Sequence, residues 1–213
     1  MSQASAFRPA IVVDNLDPDN LGRVKVRLGS GKGHREVWAR IATLMAGNNR
    51  GTWFIPDVND EVLLAFAGDA PQEAYVIGGL WNATRLPPET MQPGNDRKVL
   101  RSRSGLKITL DDQNGHERIL VETPSGQKIS LADGPGEIEI TDSNGNAVKL
   151  HSTGIDINAA ANVSVNCGEV KISAATMTVD AGMSVFSGVV KCDTLISNSV
   201  ISASYSPGAG NIW

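Results

Sequence analysis

"GIDINAAANVSVNCGEVKISAATMTVDAGMSVFSGVV", residues 154–190, repeats an apolar-x-apolar doublet every seven or eight residues and fills the gaps with Ala, Ser, Thr, Asn and Gly. The doublets are Ile155/Ile157, Val163/Val165, Val170/Ile172 and Met177/Val179. Residues two apart share one face of a β-strand, so each doublet offers a single small apolar face. Two inward side chains cannot offset roughly 1–2 kcal/mol of backbone entropy for every residue fixed. The segment must therefore coil on itself as a solenoid, or wind with other copies around a common axis. A single-chain parallel β-helix needs on the order of 20 residues or more per turn, whereas three copies giving seven or eight residues each complete one layer. The short period predicts an intertwined trimer; a monomeric solenoid or sandwich is the competing reading.

Upstream the same logic continues with wider spacing. Alternating runs carry Leu106, Ile108 and Leu110; Ile129 and Leu131; Ile138 and Ile140; Val148 and Leu150, each set on one strand face. "DQNG", "PSG", "DGPG" and "DSNGN" separate them, turn sequences whose Gly and Asn accept positive φ. Charge then falls away: residues 96–154 hold 17 Asp, Glu, Lys and Arg, and the equally long stretch 155–213 holds six. The predicted trimer core thus runs from Ile129 to Val179 through these doublets, with Thr, Ser and Asn facing outward.

Before this region lies "WNATRLPPETMQPGNDRK", residues 81–98, rich in proline and polar residues and read as a connector. Residues 9–81 hold five strand-like runs at 10–13, 22–28, 36–42, 60–68 and 73–80, with no sustained helical period. Gly22, Gly29 and Gly68 allow sharp bends, so a small closed barrel of the OB type is expected. The fold class is all-β: an N-terminal OB barrel over 1–82, a linker over 83–98, an intertwined trimeric β-helix over 99–204, and a terminal segment over 205–213.

Bulk numbers narrow the function. A net charge of −4 opposes polyanion binding. The start of the chain has no basic flank leading into a long apolar run, so no secretory leader is expected, and no stretch is long and apolar enough to span a bilayer. Cys167 and Cys192 have no histidine at ligand spacing and read as small buried hydrophobes.

"LGRVKVRL", "VWARIATLMAG" and "GTWFIPDVNDEVLLAFAGDAPQEAYVIGGLWN" resemble the OB domain of the central spike family of contractile injection machines, which includes phage baseplate assembly protein V and the VgrG spikes of type VI secretion. The specific stretches are Gly22–Val26, Pro56–Phe66 with its P-x-x-x-D-E-V core, and "VIGGLWN", Val76–Asn82. The resemblance implies a homotrimer with barrels at the hub end and a β-helical, membrane-piercing shaft that closes the tube before firing. It also implies a virion or phage-tail-like particle assembled in the bacterial cytoplasm, with the target cell envelope as its object. VgrG chains begin with large hub domains not found here, so a separate baseplate hub protein is the expected partner. Some phage members end in a His-x-His iron tip; "SASYSPGAGNIW" has no such motif and resembles blunt ends capped by a PAAR-type tip protein. That carries the docking surface onto Tyr205, Pro207, Gly208, Ile212 and Trp213.

No catalytic residue, metal or cofactor is expected. His34, His116 and His151 have no zinc-type spacing, and strand parity turns His151 away from the Leu150 face. "LGSGKGHRE" lacks the order of a phosphate loop, and the carboxylates of "DQNGHE" and "DSNGN" sit where turns require them. Arg97, Lys98, Arg101 and Arg103 read as a solvated collar or a contact to an acidic hub protein. The alternative function is an OB-fold nucleic-acid-binding protein with an oligomerisation stalk. Arg23, Lys25 and Arg27 alternate as that would want, but Trp38, Trp53, Phe54 and Phe66 fall in hydrophobic context. A polysaccharide-cleaving β-helix would need longer coils and a carboxylate cleft.

Overall fold

The computed structural model describes residues 7–29, 33–67, 73–134 and 136–204, and every named element among them is a β-strand. The chain divides into two units, Met1–Val163 and Ser164–Trp213.

Strands β1 (Phe7–Asp14), β2 (Val24–Leu28), β3 (Arg35–Ile41), β6 (Glu61–Phe66) and β7 (Ala74–Leu80) close a barrel in the order β1-β2-β3-β7-β6. All neighbours are antiparallel except β3 and β7, which run parallel from Ala39↔Ala74 to Ile41↔Val76. Counting barrel strands alone, this is the 1-2-3-5-4 closure of an OB barrel, and it leaves no free edge. Alternation supplies the core: Val12, Val24, Val26, Val62 and Leu64 are fully buried, with Ala39 beside them, and Val37, Ile41, Ile55 and Phe66 pack around. The interior is filled by short branched side chains, which explains how so aromatic-poor a sequence builds a dry core.

Between β1 and β2, Asp17 organises the loop. Its carboxylate accepts from the backbone of Asp19, Leu21 and Arg23 and from the Arg23 guanidinium, with the shortest of these bonds at 2.7 Å. The Arg23 bond, the largest influence, holds the Asp17 carboxyl far below the usual carboxylate range. Arg23 in turn lies 5.6 Å from the Trp38 ring centre.

Two expectations for the barrel region are corrected. Trp53 and Phe54 are 76% and 68% exposed and do not join the barrel core. They sit beyond the short hairpin β4 (Ala46–Gly47) and β5 (Arg50–Gly51), in the loop leading to β6, where no second layer covers them. Trp53 rests against Gly22, whose φ is +71° and whose missing Cβ would come within 3.4 Å of the ring.

Strands β8 (Arg97–Arg101), β9 (Lys107–Asp111), β10 (Arg118–Glu122), β11 (Lys128–Ala132), β12 (Glu137–Thr141), β13 (Ala147–His151) and β14 (Gly154–Asn158) form one sheet in sequence order, every neighbour antiparallel. The hairpins β9–β10, β10–β11 and β12–β13 are closed by "DQNG", "PSG" and "DSNGN", the turn chemistry seen in the sequence. Alternate turns also stack on one side of the sheet: a Cβ on Gly105 would meet Pro124 at 3.2 Å, and one on Gly126 would meet Ser143 at 3.4 Å.

The connector before β8 is fastened to this sheet. Glu89 holds Lys107 at 2.7 Å and Arg97 at 3.0 Å, and these cations lower its carboxyl pKa, Lys107 foremost. Thr109 and Asp111, on the strand clamped this way, are buried, as is Leu120 opposite Thr109. The Thr109 hydroxyl is buried without a hydrogen-bond partner. A Thr109→Val chain should therefore be more stable by about 1 kcal/mol, because a stranded hydroxyl is replaced by a methyl of the same shape; the midpoint of thermal or urea unfolding reads this directly.

In the second unit, residues 164–204 are exposed throughout and belong to no strand. Cys167 and Cys192 are exposed there, contrary to the buried reading, since none of the described residues of this unit forms a layer over them.

Candidate self-association surface

Register sorts the seven-stranded sheet into two unlike faces. Along one run two columns of side chains, one per strand in each. The first passes Leu100, Ile108, Val121, Ile129, Ile140, Val148 and Ile157; the second passes Lys98, Leu110, Ile119, Leu131, Ile138, Leu150 and Ile155. Thirteen of these fourteen positions are apolar, and Lys98, the exception, stands at the edge, its Nζ donating to the Asn95 carbonyl. Exposure along this face is 41% at Ile129, 47% at Ile140 and 63% at Ile157 among the described residues. A contiguous apolar surface of this extent on a folded sheet is a site of association.

The opposite face is ionic. Arg118 meets Asp111 at 3.3 Å, Lys149 meets Glu137 at 3.0 Å, and His151 Nε2 lies 3.0 Å from Asp156. Glu137 raises the Lys149 pKa. Thr153 Oγ1 sits 2.8 Å from the other nitrogen of His151, so that ring is engaged on the polar face, away from Leu150. Among the described residues no three His, Cys, Asp or Glu side chains are grouped to hold a metal.

Turn residues fix the register on which the two faces depend. Asp142 accepts from the backbone N–H of Asn144 at 2.8 Å and of Asn146 at 2.9 Å, and from the Asn146 side-chain amide at 2.7 Å. These bonds, those of Asn146 first, hold its carboxyl at about 2. A lowered folded-state pKa adds stability that is complete above the unfolded value, near 4, and is lost as pH falls through about 2. The gap in unfolding midpoint between the native chain and Asp142→Asn should accordingly be full at pH 5 and close on acidification towards pH 2.

Of the expected core residues, the sheet brings Ile129, Leu131, Ile138, Ile140, Val148, Leu150, Ile155 and Ile157 onto the one apolar face. Leu100, Ile108, Leu110, Ile119 and Val121 extend it; the alternation in "GLKITLDD" signals part of that extension, and "RILVE" gives none because its apolar run is continuous. Val163, Val165, Val170, Ile172, Met177 and Val179 are each 61–70% exposed and have no strand partner among the described residues. Tyr205, Pro207, Gly208, Ile212 and Trp213 lie outside the described residues. On the barrel, the alternating cations are paired: Arg23 with Asp17, and Lys25 and Arg27 both with Glu36, at 3.2 and 3.3 Å. In the collar, Arg97 pairs with Glu89 and Arg103 with Asp57.

Comparison with known proteins finds two family matches. Residues 8–81 match the type VI secretion system/phage-baseplate injector OB domain, and residues 118–183 match the phage baseplate V C-terminal trimerisation domain. The chain is 31% identical over 107 residues to the type VI secretion system spike protein VgrG3 of Vibrio cholerae, covering 46% of this chain and 10% of that protein. It is 32% identical over 96 residues to the spike protein VgrG4b of Pseudomonas aeruginosa, covering 43% and 12%. It is 29% identical over 107 residues to a Vibrio cholerae protein named actin cross-linking toxin VgrG1, covering 46% and 10%. The chain thus spans about a tenth of the length of these relatives.

Proposed function

Because the chain belongs to the phage baseplate V and type VI secretion spike family, we propose that it is the homotrimeric central spike of a contractile tail or injection machine. Three copies close their apolar sheet faces on a common axis, and the doublets from Val163 to Val179 continue that axis as an intertwined β-helix. The observation that carries this reading is the exposed two-column apolar face, which overlaps the matched trimerisation domain from Ile119 to Ile157. A chain whose residues 164–204 have no strand partner among the described residues finds those partners in other copies.

The function is mechanical. A closed barrel joins a hub protein at one end, the shaft passes force to the target envelope, and the assembly plugs the tube before contraction. The segment from Tyr205 to Trp213 receives a PAAR-type tip protein, as the resemblance implies. The matched regions are spike regions, and this role uses no catalytic group. The baseplate centre of a tail-like particle is its place, with assembly in the bacterial cytoplasm. Against the nucleic-acid alternative stand the carboxylates that engage Arg23, Lys25 and Arg27.

Light scattering on the purified chain tests the proposal. A mass of three 22.5 kDa chains that persists in warm detergent is expected; a folded monomer overturns it.

A further inference from the structure

Between the barrel and the free edge of β8 lies a cleft walled by Phe54, Trp81, Leu86 and Leu100. Phe54, Trp81 and Leu86 are 68%, 70% and 75% exposed, three large apolar side chains open to water on its wall. Four of its five charged lining residues are matched, Arg103 with Asp57 at 2.8 Å and Arg85 with Asp60 at 3.8 Å, and Arg101 is the fifth. With the charges mostly matched, its apolar wall asks for a segment that is itself largely apolar.

Two further features say what that occupant is. Among the described residues β8 is the end strand of its sheet and pairs only with β9, so its outer backbone edge stands unpaired beside the cleft. An unpaired edge flanked by apolar pockets is what an extended segment of another chain takes up. Leu100 also belongs to both surfaces: it lines the cleft and heads the apolar column that continues through Ile108 and Val121. The cleft is thus continuous with the surface on which copies of this chain meet. Phe54, Trp81 and Leu86 would together remove about 400 Å² from water, roughly half of what one side of a stable interface buries.

We propose that this cleft is a second contact between copies, filled by an extended, largely apolar segment of the neighbouring protomer. It lies outside the matched trimerisation domain and ties the barrels, as well as the shafts, to one another. The inference rests on the trimer proposed above.

A photo-reactive benzophenone side chain placed at Leu86 of the full-length chain tests it, with the mass measured in parallel. Irradiation should give covalent two-chain and three-chain products, and adding Trp81→Arg should lower their yield by at least about tenfold while the trimer mass stays the same. A trimer that gives no chain-to-chain product, or whose yield is unmoved by Trp81→Arg and equally by Leu100→Ser, overturns the cleft contact and leaves the trimer standing. A monomeric mass overturns both.

Discussion

An Ile140→Asp chain is expected to fold its barrel and scatter light as a monomer. Ile140 sits in the middle of the apolar face, opposite Ile129 on one neighbour and Val148 on the other. Within a single chain it is 47% exposed, so a carboxylate there costs the isolated fold little. In a trimer closed on that face, three carboxylates would be brought towards one axis without counter-ions. Several kcal/mol of desolvation for each ion makes the penalty on the order of 10 kcal/mol per assembly, enough to dissociate the trimer at micromolar concentration. Thr141→Asp is the matched control: one residue on, it turns to the ionic face and stands opposite Lys128. It should leave the mass at three chains. Persistence of a trimer in Ile140→Asp would mean that copies meet elsewhere.

Leu64→Ala should have the next largest effect, and at the other end of the chain. Leu64 is the largest fully buried side chain among the described residues and shares with Val12, Val26 and Val62 a core of small residues with little to move into the space. Removing it should cost about 3 kcal/mol, the transfer loss plus the cavity left behind. The barrel transition should then fall by about 15 °C in a scan, while the shaft transition and the oligomeric mass stay where they were. A single transition that shifts as a whole would show that barrel and shaft unfold together.

What the sequence made legible follows from what side-chain periodicity encodes. Doublets such as Ile138/Ile140 and Val148/Leu150 state which residues share a face, because two positions along a strand is one full pleat. The barrel strands were readable on the same ground, from runs like "GRVKVRL" bounded by turn formers. Strand direction was not readable: a doublet looks the same in an antiparallel hairpin and in an intertwined coil. That Ile129 faces Ile140 within one chain is the pairing of consecutive antiparallel strands, which the doublets themselves do not encode. Trp53 and Phe54 misled because an apolar pair in a loop carries no period, and hydrophobicity alone reads as burial. Glu89 was silent for another reason. Its two cations, Arg97 and Lys107, lie eight and eighteen residues away on different strands, and no local pattern announces such a clamp.

The meander from β8 to β14 has one further consequence, for how such a protein changes size. Each strand adds one layer of about 4.8 Å, and each layer needs only two apolar residues and a turn. A duplicated hairpin brings its own turn and its own four apolar side chains, and it returns the chain to the side it left. Reach can therefore be gained or lost in steps of about 10 Å, with nothing redesigned on either side of the insertion. A single added strand would send the chain out on the wrong side and break the stacking of alternate turns seen at Gly105 against Pro124 and Gly126 against Ser143. Lineages of this architecture should differ in length by even numbers of strands, a quantised ruler written into the topology.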